Sequence, residues 1–204
     1  MKTLFTVAML VLFAGAAQAQ VSFCYSWEDN GDVLGCYLCE NMTYYNDNAV
    51  ASDGVRSLAI AESDGSSTPQ AYVAWITGLS EGDEVTVSFD VYDDTVGANP
   101  SIRIWGHYTL DGDINAYDGS AGGNSTYSGA VGGWETLAWT WTIPAGKTNL
   151  CIEARPYDSA PYGPTFCWVD KVCVTAPMGA YLYFPGGTIP AEDNSWSGVK
   201  ALFR

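Results

Sequence analysis

Positive charge is what this chain most lacks. Its 204 residues hold 8 lysines and arginines against 23 aspartates and glutamates, for a net charge of −15. A surface that acidic repels phosphate backbones and anionic headgroups, which argues against nucleic acid and against anionic membranes as partners. Amphipathic helical periodicity is nearly missing, and no internal repeat of fixed period occurs, which removes propellers and solenoids. After the first 19 residues no apolar run is long enough to span a bilayer. The equipment of common enzymes is thin as well. There is one histidine, no serine in a nucleophile elbow, and a lone Cys36-x-x-Cys39 without a second CxxC or a nearby histidine. That leaves no zinc-site spacing and no thioredoxin-like context, and a local disulfide is the better reading of the pair.

What is present begins with an export signal. Met1-Lys2, the apolar run Leu4 to Ala14 and Ala17-Gln18-Ala19 read as a secretory signal peptide over residues 1–19. Its removal takes away Lys2 and no acid, so the charge moves from −15 to −16. The expected product is secreted, extracellular or at the cell surface, as in bacterial export. All six cysteines follow the signal, which reads as disulfide bonding in an oxidising compartment. Fifteen pairings are open to six cysteines. Strand order suggests Cys24–Cys173 joining the first and last strands, Cys36–Cys39 locally, and Cys151–Cys167 between neighbouring strands.

The dominant pattern is alternation with a period of two, punctuated by Gly, Asp, Asn and Pro. Glu84 to Asp93 is the cleanest case, with Val85, Val87, Phe89 and Val91 on one side. Further strands are expected at 21–27, 33–37, 42–45, 57–61, 71–76, 101–109, 136–143, 149–157 and 166–174. The Gly-, Ser-, Asp- and Asn-rich stretch from Asp111 to Gly133 reads as a long surface loop, a type that is often functional. Many antiparallel strands with one apolar face each pack as two sheets, so the expected fold is all-β, a disulfide-bonded β-sandwich of jelly-roll type over residues 20–177. Residues 178–204 read as a C-terminal tail, with a short helix over the last ten residues capped by Asn194 or Ser195.

Several landmarks occur in order: Phe23-x-x-x-Trp27-Glu28-Asp29, Asp53-Gly54-x-x-Ser57-Leu58, Leu79-x-x-Gly82-Asp83-x-Val85, Gly133-Trp134, and Trp168-Val169-Asp170-x-Val172. They resemble the galactose-binding-like jelly-roll superfamily of carbohydrate-binding modules, from about Val21 to Thr175. The segments Thr68 to Leu79 and Pro100 to Tyr108 resemble an uncharacterised domain of bacterial exported proteins. Ser195-Trp196-Ser197-Gly198-Val199-Lys200 to Arg204 is similar to short terminal tags read by export or surface-attachment machinery. The superfamily resemblance implies a structural calcium, for which Glu28, Asp53 and Asp170 stand at the matching positions. Calcium takes six to eight oxygens in irregular geometry. The competing reading is that these acids cap turns such as Asp53-Gly54.

The functional expectation rests on Ser101 to Thr109. Ile102 and Ile104 point one way, while Arg103, Trp105 and His107 point the other. Joined to Tyr92 and Asp90 on one flanking strand and to Glu153, Arg155 and Tyr157 on another, they make a polar-aromatic face suited to sugars, with Trp105 as its main contact. A ladder of cross-strand ion pairs such as Arg103 with Asp90 or Glu153 is the plainer alternative. An enzyme would need Asp90 and Glu153 as an acid–base pair or His107 as a base. The expected function is a non-catalytic secreted module for a glycan or extracellular polymer. The alternative is a structural spacer, or a matrix protein held through its tail.

Overall fold

The computed structural model describes residues 19–63, 67–93, 101–129, 132–157 and 166–190. Apart from one 3-10 turn at Cys39–Asn41, regular structure there is all strand. In chain order the strands are β1 (Gln20–Tyr25), β2 (Gly35–Tyr37), β3 (Met42–Asp47), β4 (Ser57–Glu62), β5 (Gln70–Thr77), β6 (Glu84–Asp93), β7 (Ser101–Thr109), β8 (Tyr117–Gly123), β9 (Gly133–Thr142), β10 (Leu150–Tyr157), β11 (Cys167–Pro177), β12 (Tyr181–Phe184) and β13 (Gly187–Pro190).

They form two antiparallel sheets, as a jelly-roll sandwich requires. The first runs β3-β4-β11-β6-β9. One side of β11 pairs with β4 through Cys167 to Val169 and with β1 through Val172 to Pro177. The second runs β13-β12-β5-β10-β7-β8, and β5 is shared in the same way between β2 at Gln70 to Tyr72 and β12 at Trp75 to Thr77. The alternation dictates the packing. Val85, Val87, Phe89 and Val91 of β6 meet Ile102 and Ile104 of β7 and Leu150, Ile152 and Ala154 of β10 in one core, all of them buried. At about 25 cal/mol per Å² of apolar surface removed from water, each large side chain in that core contributes roughly 1.5–3 kcal/mol.

Three elements differ from the sequence pattern, each for a physical reason. β1 stops at Tyr25 because Trp27 takes a left-handed backbone, with φ at 39°. Its indole is wholly buried and its Nε1 donates to Asp32 O at 2.7 Å. The stretch expected to be loop holds β8, which pairs with β7 through two register shifts. Gly123 is required there, because a Cβ would run into the Ile104 carbonyl of β7. The hairpin β12–β13 continues the second sheet past the expected boundary at Pro177. Phe184 reaches the core and lies 5.6 Å from the Tyr25 ring and 5.5 Å from the Phe23 ring. The signal-peptide stretch through residue 18, and the helix and tag expected near the C-terminus, lie outside the described residues.

Two of the expected disulfides are present. Cys24 and Cys173 are opposite one another in β1 and β11, and Cys36 joins Cys39. The third pairing is corrected. Cys151 and Cys167 are both buried and not disulfide-bonded. β10 belongs to the second sheet between β5 and β7, and β11 to the first between β4 and β6, so sequence neighbours are not spatial neighbours.

Candidate functional site

β7 runs against β10 with unbroken register, so the parity of Ser101 to Thr109 survives into the sheet. Gly106 faces inward against Leu150 and Trp141, and the irregularity falls in the pairing with β8 instead. The outer face of the second sheet is therefore built in rows. Trp75, Cys151 and His107 make one, Tyr72, Glu153 and Trp105 the next, and Arg155 and Arg103 the third. Six of the seven expected ligand-binding residues meet here: Arg103, Trp105, His107, Glu153, Arg155 and Tyr157. Tyr92 does not. β6 lies in the first sheet, where Tyr92 packs against Trp134 at 5.4 Å and Trp168 at 5.8 Å on the opposite outer surface. Asp90 goes with it, accepting from Thr136 Oγ1 and Ser52 Oγ. The ion pair of Arg103 with Asp90 and the acid–base pair of Asp90 with Glu153 are thereby removed, because β6 joins the first sheet and β7 and β10 the second, which the alternation of β6 does not mark.

The residues that do meet are organised around Glu153, which is fully buried. One carboxylate oxygen is 2.5 Å from His107 Nδ1, and the other accepts from Arg155 Nε. His107 is itself 2% exposed, its ring between Tyr72 at 5.1 Å and Tyr117 at 5.6 Å. A buried carboxylate needs such partners, since an uncompensated charge in the interior is costly. Burial, with Cys151 and Glu153 nearby, pushes the Tyr72 hydroxyl above its ordinary range. Burial likewise pushes the Cys151 thiol up, which disfavours its thiolate form. Trp105 is half-buried and is not a bare platform. The guanidinium groups of Arg103 and Arg155 lie 4.4 and 4.9 Å from its ring centroid, and its Nε1 donates to Ser120 Oγ at 3.2 Å.

Above this floor lies a groove of about 460 Å³, lined by Tyr37, Gln70, Tyr72, Asn115, Tyr117, Ser120 and Arg155. Tyr37 and Tyr117 form its exposed rims, at 53% and 65% exposure, while Tyr72 and Arg155 are in the floor. Most of these residues escape a reading by alternation. Tyr37 is on a three-residue strand, and Tyr117 and Ser120 are on β8, whose glycines hide it. The two tyrosines of the Asp111 to Gly133 stretch were the signal available.

The three acids expected to bind calcium are turn clamps in this structure. Asp170 accepts from Ser52 N, Asp53 N and Lys171 N, and Glu28 from Val55 N and Arg56 N. Asp53 accepts from Ser26 Oγ. Desolvation raises the Asp170 carboxyl above its usual range against the pull of those N–H groups. Among the described residues no three His, Cys, Asp or Glu side chains are grouped to hold a metal.

No protein-family model and no curated protein matches the chain. Solved structures do. The CBM22-1 xylan-binding domain of Paenibacillus barcinonensis Xyn10C superposes with a TM-score of 0.52 at 15% identity, over 79% of this chain and 98% of that one. The chain shares the jelly-roll fold of that domain. The N-terminal CBM22-1–CBM22-2 tandem domain of the same protein gives 0.53 at 15% identity, over 80% of this chain and 47% of that one. The CBM22-1–GH10 modules of Clostridium thermocellum Xyn10B, solved with xylohexaose, give 0.53 at 14% identity, over 78% of this chain and 28% of that one. At such identities the likeness is one of fold.

Proposed function

We propose that this chain is a secreted, non-catalytic module that binds a polysaccharide along the groove of its second sheet. The observation that carries the reading is the groove itself. Two exposed tyrosine rings stand at its rims, and its lining offers Gln70, Asn115, Ser120 and Arg155 to hydroxyl groups. Sugars are held in that manner, by rings under their C–H faces and by polar groups on their edges. The xylan-binding domains that share the fold support a polysaccharide as the partner. The Cys24–Cys173 and Cys36–Cys39 bonds suit an oxidising compartment. Attachment through the C-terminal tail belongs to the alternative, a structural spacer or surface-attached matrix protein.

The test is affinity electrophoresis against a panel of soluble plant and bacterial polysaccharides. Tyr37→Ala and Tyr117→Ala should each weaken binding about tenfold, or about 1.4 kcal/mol. Tyr92→Ala, on the opposite surface, should leave it unchanged. Loss on Tyr92→Ala alone would move the site to the first sheet. A wild-type protein that binds nothing in the panel would favour the structural spacer.

A further inference from the structure

Two of the chain's 8 cationic residues, Arg103 and Arg155, stand directly opposite each other on neighbouring strands. Like charges in that position are destabilising, and in a chain with 23 acids a carboxylate partner for each would be the ordinary solution. Among the described residues the carboxylate on this face is that of Glu153. Both oxygens of Glu153 are engaged, one by His107 and one by Arg155. Arg103 has no carboxylate partner among the described residues. Its guanidinium is held by rings instead: Trp105 at 4.4 Å, Tyr127 at 5.0 Å and Tyr157 at 5.3 Å. Cation–π contacts hold the position of the cation without neutralising it. Its hydrogen bonding is also incomplete. Nη1 reaches Tyr127 Oη at 3.4 Å, and Nε is buried with no acceptor among the described residues.

We infer that the polysaccharide is anionic and extends past the groove's Arg155 to Arg103, which stands opposite it on β7 outside the groove lining and receives a carboxylate. This rests on the groove being a polysaccharide site, and it names the class of polymer. The planar guanidinium matches a carboxylate through two parallel N–H···O bonds, which a sugar hydroxyl does not offer. The net charge of −15 sets a second condition. A densely charged polymer such as polygalacturonate is repelled by the molecule as a whole, whereas a neutral backbone with scattered uronate branches brings one carboxylate to one local cationic spot.

The experiment compares three polymers on wild-type protein by isothermal titration at low salt: glucuronoxylan, the same glucuronoxylan after chemical reduction of its carboxyl groups, and polygalacturonate. Glucuronoxylan should bind at least tenfold more tightly than either of the others, and the difference should shrink in 0.5 M sodium chloride. Arg103→Gln should lower the affinity for glucuronoxylan to that for the reduced polymer, and Arg103→Lys should fall between. Equal affinity for the native and reduced polymers overturns the inference while the groove reading stands. Tighter binding of polygalacturonate overturns the sparse-charge condition. Binding of none of these, together with none in the wider panel, removes the groove reading and this inference with it. The polymer comparison needs no variant, so a misfolded Arg103→Gln does not affect it.

Discussion

At the scale of single residues, burial decides chemistry more than identity does. Cys151, His107 and Glu153 share one face of the second sheet, and a sequence reader meets in them a thiol, an imidazole and a carboxylate. Their burial turns them into a floor. Glu153 holds His107 and Arg155, and the thiol of Cys151 is raised by desolvation and then by the charge of Glu153. A raised thiol pKa means less thiolate at any given pH, so reagents that need thiolate find little even in mild alkali. Ellman's reagent at pH 8 should therefore detect no thiol in the native protein. It should detect two per chain in guanidinium chloride without reductant and six after reduction. No thiol in unreduced guanidinium chloride would restore the Cys151–Cys167 bond and the strand adjacency it implies.

At the scale of elements, the long strands declare themselves and the short or glycine-rich ones do not. Glu84 to Asp93 and Ser101 to Thr109 occupy the spans their alternation predicts, because an apolar side chain every second residue has one way to be buried. β8 carries Gly119 and Gly122 at positive φ and exposes much of its surface, so no apolar face marks it. β12 is four residues long and reads as tail, yet it pairs with β5 and places Leu182 and Phe184 in the core. Phe184→Ala should cost about 3–5 kcal/mol, the usual penalty for emptying a buried aromatic site. Urea denaturation followed by tryptophan fluorescence measures it. A cost below 1 kcal/mol would mean that the hairpin only rests on the sandwich.

At the scale of the whole molecule, charge and topology act together. A net charge of −15 on one sandwich repels itself, so the melting temperature should rise as sodium chloride screens the acids, with a Debye length of about 10 Å at 0.1 M. Since Glu28, Asp53 and Asp170 act as hydrogen-bond acceptors in turns, calcium should raise the melting temperature no more than magnesium at equal concentration. A calcium-specific rise reversed by chelator would establish a site these residues do not display. The Cys24–Cys173 bond closes a separation of 149 residues, worth about 5 kcal/mol on the chain-entropy model, and reduction should lower the melting temperature accordingly. The sequence alone determined what is local: the alternation of β6 and β7, the outward set Arg103, Trp105 and His107, and the scarcity of positive charge. Period-two patterning tells each strand which side is apolar, and says nothing about which sheet it joins. Tertiary structure alone decided that Tyr92 and Asp90 lie on one outer surface and Glu153 on the other, that Cys151 and Cys167 are held apart, and that Tyr37 and Tyr117 line one groove. Those facts depend on pairing between segments far apart in the chain, where the free energy comes from contacts that no stretch of sequence contains by itself.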